Sequence, residues 1–563
     1  MSGASSDARP GGSAQGTVRR LIVFILLFVL VTVTASGVSG LLERAIDVER
    51  TLATAGTDDL ALQLAFALIG GPLAALLWWA AWRRLGERAE RGSVAWGLYL
   101  AAMLTVALVV ATASLAGSLA ALIDGWWQPG GFAGAVVWAL VWLWHRWMLR
   151  SPSKGPTRLA TVPLVIGAAY GLILAAGGAI TALSAVFDAA IRGAADSVLA
   201  GRASWGRAAL EALVWAALGA AVWWWHWMRD DVRRIPTGFS AVVLVVVGVL
   251  GGGAAMLGGI GTALFVGLRL VFDPSEPPSA ILVPLGTAVA AAGVGAVVWL
   301  VHARLAAVHS DGTRRAAVLV MSGLGLVAAA SGIGVVVNAL LAELATPIAS
   351  SGNRALLLGG IAAIVVGGPT WWLNWRPLRR PEPADAADVG RRVYLIAVFG
   401  ASAVVAVITL LVIGYRVFEF VLDPPSVAAL VDRVRAPLGL LVATALVSAY
   451  HFAVWRRDRA SIAESGVVPE RRIGRVVLVA AGETRELEHA IAKATGAGVV
   501  VWQPAVEPVA GVPIEPAVEP AAEAPMPSAD AAAVVAALDG VVAPRVLVLV
   551  GPGDRVEAVP LVD

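Results

Sequence analysis

Apolar runs of more than 18 residues recur along most of the chain, separated by short segments that carry arginine or acidic residues. A run of that length crosses about 30 Å of hydrocarbon as a helix. The pattern predicts an all-α polytopic membrane domain of about twelve transmembrane helices over residues 19–459. Its polar punctuation alternates. Odd-numbered spans end in a leucine-rich turn and an acid, Asp47, Asp124, Asp188, Asp273 or Asp423, with Glu343 the weaker fifth equivalent. Even-numbered spans end in tryptophan and arginine, as in Trp223-Trp224-Trp225-His226-Trp227. The membrane domain therefore reads as six two-helix repeats, 19–85, 93–150, 158–230, 237–305, 313–380 and 390–459. Each repeat holds two spans, so successive repeats share one orientation in the bilayer. Such parallel repeats differ from inverted-repeat transporters, whose opposed halves create a midplane site.

After Arg459 the periodicity changes. Val476–Val479 reads as a buried strand, Thr484 as a helix N-cap, Glu486–Thr495 as the helix, Gly496 as its stop, and Val499–Trp502 as a second, parallel strand. Residues 504–527, rich in Pro, Ala and Glu, form an extended insert. Ser528 then caps a helix to Leu538, followed by strand Arg545–Val550, a turn at Gly551-Pro552-Gly553-Asp554, and a last strand near Val556–Val559. Residues 466–563 are thus a small cytoplasmic α/β domain. Its first loop has only Gly482 and lacks both glycine-rich phosphate-binding patterns, and Gly551–Asp554 suits a turn better than a phosphate cradle.

Composition agrees with this division: 58% of the 563 residues are hydrophobic and 14% charged, far from the quarter charged that is usual in soluble domains. The chain has no cysteine, which removes disulfides, thiolate metal sites and cysteine nucleophiles. Residues 1–18 lack an apolar core and read as a disordered tail, leaving the first span as the insertion signal. The basic residues are almost all arginine and sit at span ends, with no patch interleaved with exposed aromatics, so no nucleic-acid partner is implied. The loops on one side, with the amino-terminal segment, carry 25 basic residues and those on the other side eight. The positive-inside rule then places both termini in the cytoplasm and the chain in the plasma membrane, with lipid as its first partner.

The first and fifth repeats share a Gly-Gly-Pro break, Gly70-Gly71-Pro72 and Gly367-Gly368-Pro369, with tryptophan six residues after each proline, at Trp78 and Trp375. Paired spans with a Gly-Gly-Pro-x-Trp-Trp-x-x-Trp-Arg ending, best seen at Gly367–Arg376, resemble an uncharacterised bacterial family of transmembrane hairpin repeats, over residues 19–459. The fourth repeat departs most, with Trp299 and His302 but no Trp-Trp pair, and the sixth keeps mainly Trp455 and its arginines. That family carries no activity over to this chain.

Alignment of the even spans puts His145, His226, His302, Asn374 and His451 at one position, with Leu77 in the first repeat. Trp142, Trp223, Trp299 and Trp371 stand three residues earlier, on the same helix face. Two readings follow. Near the arginines, about 2–8 Å inside the boundary at 1.5 Å per residue, these residues suit an interfacial aromatic belt. Alternatively, hairpins set around an axis would gather the histidines into a ring able to titrate or hold a metal. At the outer ends, Arg44 with Asp47, Arg269 with Asp273 and Arg416 with Glu419 suit local helix-end pairs, or a charged vestibule if they converge. No charge stands at the centre of a span, which weakens a proton-coupled mechanism. In the seventh span, Gly248, Gly252, Gly253, Gly258, Gly259 and Gly261 suit close helix packing.

No catalytic set, metal site or cofactor is implied, and the leading reading is non-enzymatic: a membrane sensor or scaffold that presents the α/β domain, through residues 466–563, to a protein partner. A transporter or channel for a small solute is the alternative, and a lipid-acting enzyme comes third.

Overall fold

The computed structural model describes residues 11–47, 57–195, 204–235, 237–273, 275–345, 351–379, 381, 388–423, 427–465, 473–480, 484–502, 530–551 and 555–561. Among them are twelve helices long and apolar enough to cross a membrane. They are α1 (Gln15–Ile46), α2 (Asp58–Arg84), α3 (Val94–Ile123), α4 (Pro129–Leu149), α5 (Val162–Ile191) and α6 (Trp205–Arg229). The rest are α7 (Gly238–Phe272), α8 (Pro278–His309), α9 (Asp311–Glu343), α10 (Asn353–Leu378), α11 (Val389–Leu422) and α12 (Leu430–Glu464). The protein is a multi-pass α-helical membrane protein.

Each odd helix packs on the even helix that follows it, giving six hairpins. Between hairpins the contacts are staggered: α1 meets α4, α3 meets α6, α5 meets α8, α7 meets α10, and α9 meets α12. Consecutive odd helices also touch, so they form a continuous line with the even helices against it. No comparable packing joins the last hairpin to the first among the described residues. The hairpins therefore make an open row.

Helices in hydrocarbon gain no water-driven attraction for one another, so they associate where small residues let backbones meet. Three hairpins use the same device. A Cβ added to Gly171, Gly252 or Gly325 would come within 3 Å of the backbone nitrogen of Trp223, Trp299 or Trp371 on the partner helix. Seven residues further, Gly178, Gly259 and Gly332 meet the partner's backbone at Ala216, Ala292 and Ile364. From the other side, Gly219, Gly295 and Gly367 abut Ala175, Met256 and Ala329. The seven-residue spacing keeps one face towards the partner, as in a left-handed pair. Close packing is thus what Gly248, Gly252, Gly253 and Gly259 provide, whereas Gly258 and Gly261 face open space.

Several local expectations change. Residues 11–18, expected as tail, are helical, because the first helix starts at Gly11; residues 1–10 lie outside the described residues. The two Gly-Gly-Pro sites are not breaks. The first follows a π-helical turn at Phe66–Gly70, with Pro72 in the opening turn of the next segment, where its missing N–H is tolerated. The second runs through a continuous helix, Ser351–Trp375. Asp124, Asp273 and Asp423 do cap their helices, while Asp188 lies inside Val162–Ala195.

The α/β region has β1 (Arg475–Val479), α13 (Arg485–Thr495), β2 (Gly498–Trp502), α14 (Ala531–Ala537), β3 (Arg545–Val550) and β4 (Val556–Leu561). Strand order is β2-β1-β3-β4, with the first three parallel and β4 antiparallel to β3. The expected parallel β1–β2 pair is present. Leu487 and Ile491 of α13 and Val534 of α14 bury against Val476, Leu478, Val546 and Val548. Gly496 ends α13 at φ +67°, the left-handed geometry a glycine stop supplies. Thr484 precedes α13, but its hydroxyl donates to Glu488 at 2.9 Å instead of capping a backbone N–H. The cap of α14 is Asp530, whose carboxylate accepts from Ala532 N at 3.0 Å; Ser528, Gly482, the insert 504–527 and Pro552–Asp554 lie outside the described residues.

Valine at Gly178 or Gly259 should overpack the hairpin and cost about 1–3 kcal/mol, seen as a lower melting temperature by tryptophan fluorescence. Gly258→Ala, with nothing within 4 Å of the added carbon, should melt no lower than the parent. Equal melting for all three would refute the interlock.

Candidate ligand cavity and the histidine positions

The five aligned polar side chains make one repeated contact. His145, His226, His302 and His451 each donate Nδ1–H to the carbonyl four residues back, on Val141, Val222, Val298 and Val447, at 2.7–2.9 Å. Asn374 Nδ2 does the same to Thr370 at 2.8 Å. With Nδ1 committed, each Nε2 is left as an acceptor. The histidines are 0–3% exposed, so they do not stand in an interfacial belt among headgroups. They line up along the row. The Trp142 ring meets His226 at 6.3 Å, Trp227 meets His302 at 5.7 Å, and Trp375 meets His451 at 5.7 Å, in each case from the preceding hairpin. No group of three or more metal-ligating side chains occurs among the described residues.

What each Nε2 meets differs. The Tyr99 hydroxyl donates to His145 Nε2 at 2.9 Å. His451 Nε2 is buried without a partner, beneath the ring of Tyr394 at 6.1 Å. His226 rests against Gly167 and His302 against Gly248, where any Cβ would collide with the imidazole. Glycine is required at both places for the histidine to fit.

Beside His302 lies an open cavity of about 250 Å³, lined mainly by α5, α6, α7 and α8 at the arginine-rich end of the row. Its walls are apolar, with Val243, Leu244 and Gly248 of α7 facing Trp223 and Trp227 of α6. Two π-helical stretches, Trp225–Arg229 and Leu244–Gly251, flank it; such bulges occur often at functional sites. The mouth carries Arg233, Arg234, His309 and, from helix α13 of the α/β region, His489. Both arginines contact Asp231, at 3.0 and 3.1 Å, so two cations share one carboxylate.

The outer charges stay apart. Arg269 pairs with Asp273 at 3.3 Å and with Glu276 at 3.1 Å. The Ser275 hydroxyl and Arg269 hold the Asp273 carboxyl below its ordinary range. Arg416 pairs with Glu419 at 2.9 Å, which Arg433 also reaches at 3.4 Å. Arg44 donates to Gln63. Each of these pairs lies within one hairpin.

On the arginine-rich side, three acids that the sequence reading left aside bind arginines. Asp458 meets Arg391 at 2.8 Å with both side chains buried. Arg146 and Arg150 meet the buried Asp230, and Glu90 holds Arg20 at 3.0 Å. The sequence reading also missed the cavity residues Val243, Arg233, Arg234, His309 and His489. For Val243 alone a signal exists, seen once the caps are known: Tyr99, Tyr394 and Val243 each stand six residues after the side-chain cap of their helix, Ser93, Asp388 and Thr237.

The fold and these sites define a polytopic helical membrane protein with no recognised reaction centre among the described residues. The model of a domain of unknown function, DUF5671, matches it twice, over residues 20–144 and 315–446, which bears out the resemblance to an uncharacterised family. The two matches cover helices in α1–α4 and α9–α12, and the cavity lies in the four helices between them. No curated protein and no solved structure matches the chain.

Asp458→Asn should leave Arg391 buried and unpaired, at a cost of about 3–5 kcal/mol, whereas the double change Arg391→Met with Asp458→Leu should cost much less. A thermal melt of both variants checks this, and equal losses would show that the pair is not the stabilising unit.

Proposed function

We propose that the protein is a non-enzymatic membrane sensor, whose central hairpins hold a small ligand and whose cytoplasmic α/β domain reports its presence to a protein partner. The observation that carries this reading is the joint mouth of the cavity: His309 at the end of α8 and His489 on α13 line the same opening. A ligand there touches both regions, so its binding energy can differ between domain positions, as any switch requires. We read the six hairpins as copies of one parallel unit, in the plasma membrane with both termini inside. The recurring glycine and histidine contacts and the excess of arginine on one face support that reading.

The alternative, a transporter, has less support. The cavity lies at the arginine-rich end, and a second space of about 240 Å³, beside Gly177, Gly178 and Trp215 of the third hairpin, shares no lining residue with it.

The chain has no native cysteine, so His309→Cys with His489→Cys introduces a single reporter pair. Mild oxidation of the full chain in nanodiscs should give one intramolecular disulfide, identified by peptide mass. Failure to form it, when each single variant still labels with maleimide, would refute the docked arrangement.

A further inference from the structure

We infer that the cavity beside His302 binds a small aromatic acid bearing a ring hydroxyl. This names the ligand of the sensor site and so rests on that reading for its role, though the binding itself is tested separately.

Three positions share one offset from the side-chain cap of their helix. Six residues after the cap of α3 stands Tyr99, which fills the space beside His145 and hydrogen-bonds its Nε2. Six residues after the cap of α11 stands Tyr394, whose ring covers His451 and whose hydroxyl pairs with Ser322 at 3.3 Å. Six residues after the cap of α7 stands Val243, and there the cavity opens. At this offset a phenol stands in the first and last four-helix groups and a valine in the middle one.

The rest of the frame is kept. His302 is 3% exposed, donates Nδ1–H to Val298 at 2.7 Å, and makes no Nε2 hydrogen bond to another described residue. An aromatic neighbour, Trp227, covers its ring at 5.7 Å, as Trp375 covers His451. An acceptor on a buried ring beside a largely apolar lining selects a ligand that brings one hydroxyl and a ring, because an unmet acceptor discriminates strongly between partners with and without the donor.

The cavity, at about 250 Å³, exceeds what a phenol needs and falls below the range of about 300–1,000 Å³ for drug-sized ligands. The remaining length leads to Arg233, Arg234, His309 and His489, where Asp231 is the arginines' shared carboxylate. A carboxylate at the far end of the ring meets that excess of positive charge, and arginine suits its geometry. Hydroxyl inward and carboxylate outward fix the ligand's direction.

The probe is 4-hydroxybenzoate, added to the full chain in nanodiscs and followed by calorimetry, with benzoate and octanoate as comparisons. The expected result is binding at least tenfold tighter than either comparison. Val243→Tyr, which restores the residue found at the other two places, should weaken the probe at least tenfold without lowering the melting temperature. His302→Phe should erase the preference over benzoate, and Arg233→Gln with Arg234→Gln should weaken 4-hydroxybenzoate while sparing phenol. Equal affinity for benzoate, no binding at millimolar probe, or unchanged affinity in both Val243→Tyr and His302→Phe would overturn the inference. A missing disulfide between positions 309 and 489 with probe binding intact would sink the sensor reading alone.

Discussion

The structure depends on backbone-to-backbone contact at glycine. In hydrocarbon, helices have no water to shed when they meet, so dispersion at close range has to hold a hairpin together. Gly171 against Trp223, Gly252 against Trp299 and Gly325 against Trp371 set that distance. The same contact sets the chemistry. With the tryptophan backbone pinned, the next turn of the even helix falls opposite the odd helix one turn earlier. There Gly167 and Gly248 leave space for the imidazoles of His226 and His302.

An imidazole placed this way is a fixed acceptor. Its Nδ1 proton goes to a carbonyl of its own helix, and its Nε2 points to whatever the neighbouring helix supplies. Tyrosine supplies a donor to His145, and no described residue supplies one to His302. The protein thus holds one geometry in several copies and varies the occupant. Variation on a fixed frame is how function separates from fold.

Much of the architecture was legible because the bilayer imposes a coarse and strict rule on sequence. Twelve apolar runs gave twelve helices, and Gly496 and the β1–β2 strands followed from local chemistry. The histidine alignment was legible too, since identical spacing from a shared tryptophan needs no structure to see. Its meaning was not. Proximity to arginine suggested an interface, yet burial between helices depends on how hairpins stack. Apolar residues facing lipid and those facing a neighbour look alike in sequence. Arg391 with Asp458 shows the same limit: 67 residues apart, they meet only because α11 and α12 fold back together. The cavity was hidden for a further reason, since Val243 is unremarkable until set beside Tyr99 and Tyr394.

The open row bears on mechanism as much as any side chain. Hairpins closed around an axis would share a centre, where equivalent histidines could line one path. In a row the equivalent positions are spread along a line, and each is enclosed only by its own neighbours. A site can then form between two hairpins without opening a route across the membrane. The central hairpins are the ones flanked on both sides, by the four-helix groups that match the family model. They can give up a filling side chain at Val243 and still be held in place. The cavity in that position is lined by His309 of α8 and His489 of the α/β region, so it is bounded by residues of both regions rather than by one hairpin alone.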